Sequence, residues 1–449
     1  MSQQFDLIVI GTGPAGSTIA KKCSEQGWSV ATIESTAYGG TCPNSGCIPK
    51  KIFSSQTELI DQIRLMQGSG IRSDSQINWQ ELIAFNQSFT EPTPATKEKD
   101  LQKNEVITFH GQASFVDQNC VQVNEHLLQG RKIVIATGAK PISLPIKGME
   151  HLVHSDGFFE LENLPPRIIF IGGGYISLEF AHIAARAGSD VQIIEGEDHV
   201  LSQFDSQLVD LLVQKSQEIG IKIALNTKVK AIEKTDKSYH VIGDSNGDHI
   251  SWESDLVIHG AGRAPNVEQL NLEKGNVANE KGGISVNQYL QSVSNPNVYA
   301  AGDVADTEGP PLTPVAGIEA KAVSENLMNG NQQKLSYNAI PSVVFTSPKI
   351  AMVGMTEEEA KQSDDHVNIK YSDISKWFTY QHTNQTYAGA KIMTNKRTGQ
   401  ILGAHILSNE ADALINFFAL AIQLKLSIRD LKKITYAFPT AIADIPSML

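Results

Sequence analysis

The sequence predicts an α/β fold in which two Rossmann-like dinucleotide-binding domains are combined with a C-terminal α+β domain. Two observations carry this prediction. Each of two separate segments has the pattern of a strand, a glycine-rich turn, a helix and a second strand that ends in a glutamate. From residue 336 the pattern changes to short strands followed by two amphipathic helices, which is typical of an α+β domain.

The first of these segments begins close to the N-terminus. Residues 5–10 are largely apolar, the turn 11–16 has glycine at its first, third and sixth positions, and the strand after the helix ends at Glu34. In this fingerprint the glycines allow a tight turn, backbone contact with a pyrophosphate, and close packing of helix on strand. The acid binds ribose hydroxyls. The segment therefore predicts a dinucleotide site.

The second segment lies in the middle of the chain. Residues 167–171 predict a strand, residues 172–174 are all glycine, and the strand predicted over residues 190–194 ends at Glu195. Ser177 replaces the third glycine of the fingerprint, which we expect to loosen the packing of helix on strand slightly. The turn that would bind phosphate is intact, so the segment predicts a second dinucleotide site.

Composition restricts the classes of function. The chain has 449 residues, of which 41% are hydrophobic and 19% charged, and its net charge is −12. Scattered basic residues argue against a nucleic-acid or anionic-membrane surface. No apolar run approaches the ~18–20 residues of a membrane span, and no signal peptide is visible. Four cysteines are too few for a disulfide scaffold and lack zinc-ligand spacing. We expect a cytoplasmic protein without a metal site.

Cys42 and Cys47 are the most informative pair of side chains. Two thiols five residues apart are separated by roughly 8–9 Å across a regular α-helix, so a disulfide needs a bent path. Pro43 and Gly46 permit one, and Pro49 suits the first turn of a helix that begins just beyond Cys47. The N-terminal end of that helix would favour the thiolate. The pair predicts a redox-active dithiol; the alternative is two unrelated cysteines in a loop.

Two dinucleotide sites and a redox dithiol imply an electron relay, in which a nicotinamide delivers hydride, a flavin accepts it and the reduced flavin opens the adjacent disulfide. With these motifs the chain resembles the pyridine nucleotide–disulfide oxidoreductase family, which includes glutathione reductase, dihydrolipoamide dehydrogenase and mercuric reductase. The resemblance covers essentially the whole chain. The motifs that carry it, in order, are residues 11–16, 39–51, 136–138, 172–179, 262–263, 301–303 and 340–345.

The resemblance implies two cofactors, FAD and a nicotinamide dinucleotide. The binding residues that it implies are Gly11, Gly13, Pro14, Ala15, Gly16, Glu34, Gly40, Thr41, Lys51, Ala136, Thr137, Gly138, Gly172, Gly174, Tyr175, Ile176, Glu195, Gly262, Arg263, Gly302 and Asp303. The first glycine-rich turn and its acid would bind the adenosine and pyrophosphate of FAD. Thr41, Asp303 and one of two adjacent lysines would contact the flavin or ribityl part.

The resemblance also implies the catalytic residues, which are Cys42, Cys47, Lys50, Lys51, Glu179 and Tyr175. Cys47 would face the isoalloxazine ring as the charge-transfer thiol, and Cys42 would be the interchange thiol that meets the substrate. One of the two lysines would pair with Glu179 near the flavin. Tyr175 would cover the nicotinamide pocket. The structural alternatives are an exposed helix carboxylate for Glu179 and core packing for Tyr175.

Glu195 predicts the choice of nucleotide. A carboxylate at the end of this strand accepts hydrogen bonds from free ribose hydroxyls and repels a 2′-phosphate. The three following residues include no arginine that could hold a phosphate. We therefore expect NADH rather than NADPH as the reductant. Arg186, which lies shortly before the strand, is the residue that could reverse this preference.

The expected domains follow the family pattern. The ranges are 1–147 and 267–335 for the two parts of the FAD-binding domain, 148–266 for the NAD(P)-binding domain, and 336–449 for the dimerisation domain. Within the last range, the helix predicted over residues 412–423 carries more apolar side chains than one buried face needs. We therefore expect a homodimer.

The C-terminal segment departs from the family pattern. Disulfide-reducing members carry a His-Pro-Thr segment, whose histidine serves the partner subunit as acid–base catalyst, and a glutamate five residues later. Here Phe438 stands at the histidine position and Ala443 at the glutamate position, while Asp444 would lie on another face of the helix. A phenyl ring cannot transfer a proton, and general acid–base catalysis is worth ~10²–10⁴-fold. We expect slow turnover of ordinary disulfides unless Tyr436 or the substrate supplies the proton.

The favoured interpretation is an FAD-dependent enzyme of cell redox homeostasis that oxidises NADH and reduces a small disulfide or similar acceptor through Cys42 and Cys47. One alternative is an NADH-dependent reductase of quinones or metal ions on the same scaffold. The chain has no C-terminal cysteine pair, which argues against a dedicated mercuric reductase. Another alternative is a redox-responsive flavoprotein that binds a partner protein.

Overall fold

The structure is a computed structural model that describes residues 2–245, 247–363 and 366–449. The chain forms two compact units, each built from sheets and helices. The first unit contains residues 2–50, 84–142 and 263–337. The second unit contains residues 51–83, 143–262 and 338–449. The α/β fold class predicted from the sequence is confirmed, whereas the predicted domain ranges stay a prediction.

The first part of the chain forms most of one large sheet. The strands of this part of the chain are β1 (Gln3–Ile10), β2 (Val30–Glu34), β3 (Ile107–His110), β4 (Ala113–Asp117), β5 (Cys120–Val123), β6 (His126–Ile135) and β7 (Ala139–Pro141), of which β1 to β6 belong to the large sheet. Its helices are α1 (Pro14–Ser24), α2 (Thr41–Ser45), α3 (Cys47–Leu65), α4 (Trp79–Thr90) and α5 (Thr93–Lys103). The order is β3-β2-β1-β6-β5-β4, and the first four strands are parallel. The carboxyl ends of β1 and β2 therefore meet at one edge, where ligands bind in such sheets.

The middle of the chain forms a second parallel sheet. Its strands are β8 (Arg167–Ile171), β9 (Asp190–Ile194), β10 (Lys222–Ala224), β11 (Thr227–Lys234), β12 (Tyr239–Ser245), β13 (Asp248–Ser254) and β14 (Leu256–His259). Its helices are α6 (Ser155–Phe158), α7 (Tyr175–Arg186) and α8 (Ser206–Glu218). The parallel order is β10-β9-β8-β14, and β11, β12 and β13 form an antiparallel sheet. The bounds of β8 and β9 agree with the predicted strands.

The next part returns to the first sheet. Its elements are β15 (Arg263–Pro265), β16 (Asn279–Glu280), β17 (Gly283–Ser285), β18 (Val298–Ala300), β19 (Ala305–Asp306) and α9 (Thr313–Asn329). Strand β18 pairs in parallel with β6, which adds a seventh strand to the sheet. Helix α9 packs against α1 in one buried cluster that includes Ala316, Ala320 and Ile19. The small alanine side chains allow the close approach of the two helices.

The last part forms an antiparallel sheet with helices. Its strands are β20 (Ser342–Val344), β21 (Lys349–Gly354), β22 (Val367–Asp373), β23 (Gly389–Asn395) and β24 (Ile401–Ser408). Its helices are α10 (Glu357–Gln362), α11 (Phe378–Gln381), α12 (Ala411–Gln423), α13 (Ile428–Leu431) and α14 (Ile445–Met448). The helix predicted over residues 428–434 is shorter, because Leu431 is its last buried residue and Ile434 is exposed. No helix in the described ranges is long and apolar enough to cross a membrane.

Candidate active site

The first glycine-rich turn forms a cradle at the end of β1. Gly11 has φ +96°, and a Cβ atom there would overlap the carbonyl group of Ala136. A Cβ atom at Gly16 would likewise overlap the carbonyl group of Gly11. Gly13 instead faces open space, and as the N-cap of α1 it offers no side-chain cap to the first turn. The open N–H groups at this helix start fit the pyrophosphate of a dinucleotide.

Glu34 ends β2 beside this turn and is already saturated with hydrogen bonds. Its Oε2 atom accepts hydrogen bonds from the amide of Thr12 at 3.0 Å and from the hydroxyl of Thr12 at 2.7 Å. Its Oε1 atom accepts from the amide and hydroxyl of Thr36 at 3.0 and 3.1 Å. Four donors match the capacity of a carboxylate. A ribose hydroxyl at Glu34 would therefore have to replace or share one of them.

Two further loops line the same end of the first sheet. Gly40 has φ +69°, and a Cβ atom there would lie 2.7 Å from the Cα atom of Gly13, so only glycine allows this approach. Gly138 has φ +65° and faces open space. The hydroxyl of Thr137 donates a hydrogen bond to the carbonyl of Asn266 at 2.7 Å, which ties this loop to the chain after β15. Thr41, after Gly40, begins α2.

The two thiols occupy separate helices. Helix α2 contains Cys42 and ends at Ser45, Gly46 has non-helical φ −131° and ψ −111°, and α3 begins at Cys47 itself. The bent path expected from Gly46 is therefore present, and the predicted helix begins one residue earlier than expected. Both cysteines are thiols in the structure.

The surroundings of the two thiols favour a thiolate at Cys47 over one at Cys42. A hydrogen bond from the Cys42 thiol, together with the hydroxyl of Thr313 and the positive charge of Lys50, lowers the pKa of Cys47 to about 6, although burial opposes the shift. The pKa of Cys42 is raised, because its proton is held in the hydrogen bond to Cys47 and because its side chain is buried. Of the two thiols, Cys47 is therefore the more acidic.

Thr313 is the site residue that the sequence analysis missed. Its Oγ1 atom lies 3.4 Å from the Sγ atom of Cys47. It is the first residue of α9, and Pro314 follows it in the first turn of the helix. The Thr-Pro pair marks a helix start, but no sequence signal indicates that this start meets the thiols.

Asp303 follows β18 in the first unit. Burial raises the pKa of its carboxyl group, and the positive charge of Arg263 opposes that shift. The guanidinium group of Arg263 donates a hydrogen bond to the carbonyl of Ala139. Gly302 has φ +78°, a conformation that favours glycine directly before Asp303. These residues surround the same sheet edge as the first glycine-rich turn.

The second glycine-rich turn forms a similar cradle in the second unit. Gly172 has φ +99°, and a Cβ atom there would lie 2.6 Å from the Cα atom of Ala261. Gly174 is the N-cap of α7 and supplies no side-chain cap. Glu195 accepts hydrogen bonds from the amide of Gly173 and, at 2.9 Å, from the amide of Glu197. With these two donors from the described part of the chain, the carboxylate keeps capacity for ribose hydroxyls.

Ser177 is accommodated by a second glycine. Its side chain is fully buried, and a Cβ atom at Gly260 would overlap its hydroxyl group. Because Gly260 has no side chain, it leaves room for the hydroxyl group of Ser177, which stands at the third glycine position of the fingerprint. Gly262, with φ +112°, continues this loop. The looser packing expected at Ser177 stays a prediction, and in the described ranges its hydroxyl is buried without a hydrogen-bond partner.

Arg186 is committed to a buried network. Its side chain is 1% exposed, and its Nη2 atom lies 2.8 Å from Oδ1 of Asp61. The same group donates to the carbonyl of Ser347 at 2.9 Å, and Nη1 lies 3.1 Å from Nδ1 of His182. The guanidinium group is therefore held inside the protein by groups of the protein itself.

Helix α7 carries the remaining predicted residues. Glu179 is 2% exposed and accepts a hydrogen bond from the amide of Phe345 at 2.8 Å, so it is not an exposed helix carboxylate. The Nζ atom of Lys51 lies 4.6 Å from the centre of the Phe345 ring. Tyr175 begins the helix with 48% of its surface exposed, so it is not a core residue, and Ile176 follows it. Lys51 therefore lies close to Phe345, the residue whose amide binds Glu179, and the choice between Lys50 and Lys51 as the partner of Glu179 stays open.

The segment after α13 provides no acid or base at the expected position. Phe438 is 83% exposed. The hydroxyl of Tyr436 donates a hydrogen bond to the carbonyl of Leu431 at 3.0 Å, and burial raises the pKa of this tyrosine. In the described ranges, Oδ2 of Asp444 is buried without a hydrogen-bond partner. The tyrosine proton is therefore engaged, and Asp444 faces the protein interior.

Comparison with known proteins gives the family. The pattern described as "Pyridine nucleotide-disulphide oxidoreductase" matches residues 5–320, and the pattern described as the dimerisation domain of the same class matches residues 340–448. The chain belongs to this family. Members are FAD-dependent oxidoreductases that use a pyridine nucleotide, so the prediction of a flavoprotein enzyme is confirmed.

Relatives within the pyridine nucleotide–disulfide oxidoreductases cover nearly the whole chain. The chain is 31% identical to a mercuric reductase of Staphylococcus aureus over 432 residues, which are 95% of this chain and 78% of that protein. It is 31% identical to a dihydrolipoyl dehydrogenase of Bacillus subtilis over 445 residues, 97% of this chain and 94% of that protein. It is also 54% identical over 180 residues to an uncharacterised 19.7 kDa protein of a mercuric resistance operon in S. aureus, covering 40% of this chain and all of that protein.

A solved structure in this family has the same fold. It is the Cu(II) complex of a cysteine-to-serine mutant of RclA, an HOCl-induced flavoprotein disulfide reductase from Escherichia coli. The TM-score is 0.89 at 26% identity, and the match covers 100% of this chain and 99% of that one. Together with the dimerisation pattern, this likeness supports an expectation of a homodimer. The roles assigned to individual site residues stay predictions.

Proposed function

We propose that this protein oxidises NADH and passes two electrons through Cys42 and Cys47 to a disulfide-type acceptor. The observation that carries the proposal is the placement of Cys47 at the start of α3 beside the hydroxyl of Thr313, with Cys42 on the separate short helix α2. The glycine turn that ends at Gly16 and the loops around Asp303 would bind FAD. When bound, FAD supplies two-electron transfer between a nicotinamide and a disulfide. The turn before Tyr175 would bind the nicotinamide nucleotide.

Each thiol has a distinct step in reducing a disulfide. The Cys42 thiol must first lose its proton so that its sulfur can attack the acceptor disulfide, which forms a mixed disulfide and releases one acceptor thiolate. The Cys47 thiolate then attacks the Cys42 sulfur, which releases the second acceptor thiolate and restores the Cys42–Cys47 disulfide. One of the two protons that end on the acceptor thiols is the proton lost by Cys42, and the other comes from solvent water. The exposed ring of Phe438 can neither take up nor deliver a proton, so this exchange would depend on water or on the acceptor.

NADH is the proposed reductant. Glu195 has two protein hydrogen bonds and spare acceptor capacity, and its negative charge would repel a 2′-phosphate. The buried contacts of Arg186 to Asp61 and Ser347 support this choice, because this arginine is engaged with protein groups. The side-chain stem of Lys228 lies 3.6 Å from the Cβ position of Gly196, and it is the basic group that would favour NADPH.

A second candidate is the reduction of a metal ion or a quinone. The phenyl ring at position 438 favours it, because an electron acceptor that needs little proton transfer at Cys42 does not require the missing base. The similarity to a mercuric reductase and to a copper-bound flavoprotein reductase gives further support for a metal ion. Paired thiolates are soft ligands that suit such ions. In the described ranges, no cluster of three or more His, Cys, Asp or Glu offers another metal site.

The half-reaction tests the shared part of both candidates. The purified holoenzyme would be mixed anaerobically with one equivalent of NADH, and its accessible thiols would be counted with an aromatic disulfide reagent after denaturation. We expect two additional thiols in the wild type and none in Cys42→Ser. Cys120→Ser, which removes a thiol of β5 that is not part of the pair, should still gain two. A wild type that is reduced by NADH without any gain of thiols would contradict the thiol relay.

The dimerisation domain supports a proposed homodimer. Several apolar side chains of this domain are at least one third exposed, namely those of Leu420, Leu424, Ile434, Phe438 and Ile442. A second copy of this chain would cover such a surface.

A redox-responsive binding protein remains the third interpretation, and it would require that NADH reduce the thiols while every small acceptor is turned over negligibly.

A further inference from the structure

Glu319 is a buried carboxylate on α9 that the proposed chemistry does not use. It is 1% exposed. Its Oε2 atom accepts a hydrogen bond from the amide of Gly302 at 2.6 Å. Its Oε1 atom accepts from the hydroxyls of Tyr337 at 2.8 Å and Thr307 at 3.1 Å. In the described part of the chain no basic side chain pairs with it, so three hydrogen bonds alone stabilise the buried group.

The most informative of these bonds is the one to Gly302. This glycine has φ +78° and precedes Asp303. A Cβ atom at Gly302 would lie 3.5 Å from Ala316 on α9 and 3.7 Å from Ala15 on α1. The turn is therefore enclosed between the helix that follows the glycine-rich loop and α9. Glu319 binds the backbone N–H group of Gly302, the residue directly before Asp303.

The same helix also reaches the redox thiols. Thr313, its first residue, lies 3.4 Å from Cys47, and Glu319 follows about two helical turns later. A helix is a stiff element, so the thiol contact and the Gly302 contact are held at a fixed separation. The chemistry of the three donors also explains the residue type, because a carboxylate accepts several hydrogen bonds and donates none.

We infer that Glu319 is a positioning residue for FAD, whose carboxylate holds the Gly302–Asp303 turn in the orientation that receives the cofactor. The inference rests on the proposed role of Asp303 at the FAD site. An amide at position 319 would keep one acceptor oxygen and turn an N–H₂ group towards the hydroxyls. An apolar side chain of similar length would leave the amide of Gly302 without its partner, inside the protein.

FAD affinity of FAD-stripped protein tests this role. Loss of a hydrogen bond to a charged group corresponds to roughly tenfold or more in an equilibrium constant. Glu319→Met should therefore raise the dissociation constant of FAD at least tenfold, measured by quenching of flavin fluorescence, and Glu319→Gln should raise it several-fold. Glu325→Gln, an exposed change on the same helix, should leave it within twofold. The visible spectrum of the bound flavin should change in Glu319→Met alone.

A second variant separates the positioning of FAD from a merely structural role of Glu319. Tyr337→Phe removes one hydrogen bond of Glu319 and keeps the contact to Gly302, so it should lower the melting temperature of the protein without changing FAD affinity. A folded Glu319→Met protein that binds FAD as the wild type does would overturn the inference. If that variant does not fold, an unchanged FAD affinity of Glu319→Gln would overturn it. A wild type that binds no FAD would instead contradict the proposed function.

Discussion

The Oγ1 atom of Thr313 lies 3.4 Å from the Sγ atom of Cys47, although 266 positions separate the two residues in the sequence. The hydroxyl donates to the thiolate and helps to keep the pKa of Cys47 low. A thiolate at this position is the form that exchanges electrons and disulfide bonds. This contact joins the start of α9 to the start of α3 within the first unit.

Thr313→Val should raise the pKa of Cys47. Removing the hydroxyl destabilises the thiolate and leaves the thiol unaffected, so the direction is upward, by about one unit for a hydrogen bond to a charged group. In the reduced wild type, alkylation of Cys47 should rise with pH around a midpoint near 6. The midpoint can be measured by mass spectrometry with peptide fragmentation. Ser324→Ala, which removes another hydroxyl from α9, should leave the midpoint unchanged. An unchanged midpoint in Thr313→Val would contradict a hydrogen bond between Thr313 and the Cys47 thiolate.

Phe438→His together with Ala443→Glu should increase turnover of small disulfides. The pair restores the acid–base group of the family, which is worth ~10²–10⁴-fold where proton transfer limits the rate. The expected gain is at least tenfold in kcat for oxidised glutathione or lipoamide, with an unchanged rate of flavin reduction by NADH. Phe438→Leu with Ala443→Glu is the matched control. Equal rates for the two double variants would show that the missing base does not limit the reaction.

Glu195→Gln should weaken the discrimination against NADPH. The substitution removes the negative charge that would repel a 2′-phosphate and keeps a hydrogen-bonding side chain. The ratio of kcat/KM for NADPH to that for NADH should rise at least tenfold. Glu197→Gln removes an equal charge from the neighbouring exposed residue, and its ratio should stay near that of the wild type. A similar ratio in all three proteins would place the nucleotide preference elsewhere.

Arg186→Met should destabilise the protein without changing the choice of nucleotide. It leaves the carboxylate of Asp61 buried and unpaired, and breaking a buried ion pair costs about 3–5 kcal/mol in the free energy of unfolding. Chemical denaturation measures this loss. Arg186→Met with Asp61→Leu should recover much of it. The kcat/KM ratio of the two nucleotides should be unchanged, and a selective loss of NADPH turnover would mean that Arg186 contacts a phosphate.

Local patterns predicted much of the fold. The bounds of β8 and β9 were predicted correctly because both strands are short apolar runs, and glycine or proline lies close to their ends. The break between the helices of Cys42 and Cys47 followed from Gly46. Long-range contacts were not predictable in this way. No pattern indicates that Thr313 meets Cys47, or that Arg186 is buried against Asp61, because partners so far apart in sequence are set by packing of whole elements.

The central claim is that electrons from NADH reach the acceptor through Cys42. The most direct measurement is the rate of NADH oxidation by the holoenzyme with oxidised glutathione, lipoamide, an aromatic disulfide, quinones and Cu(II), comparing the wild type with Cys42→Ser and with Cys120→Ser. The account predicts that NADH oxidation with the best acceptor is at least 100-fold slower in Cys42→Ser than in the wild type, because the exchange chemistry is abolished. The rate in Cys120→Ser should equal that of the wild type. Equal turnover of that acceptor by the wild type and Cys42→Ser would contradict it.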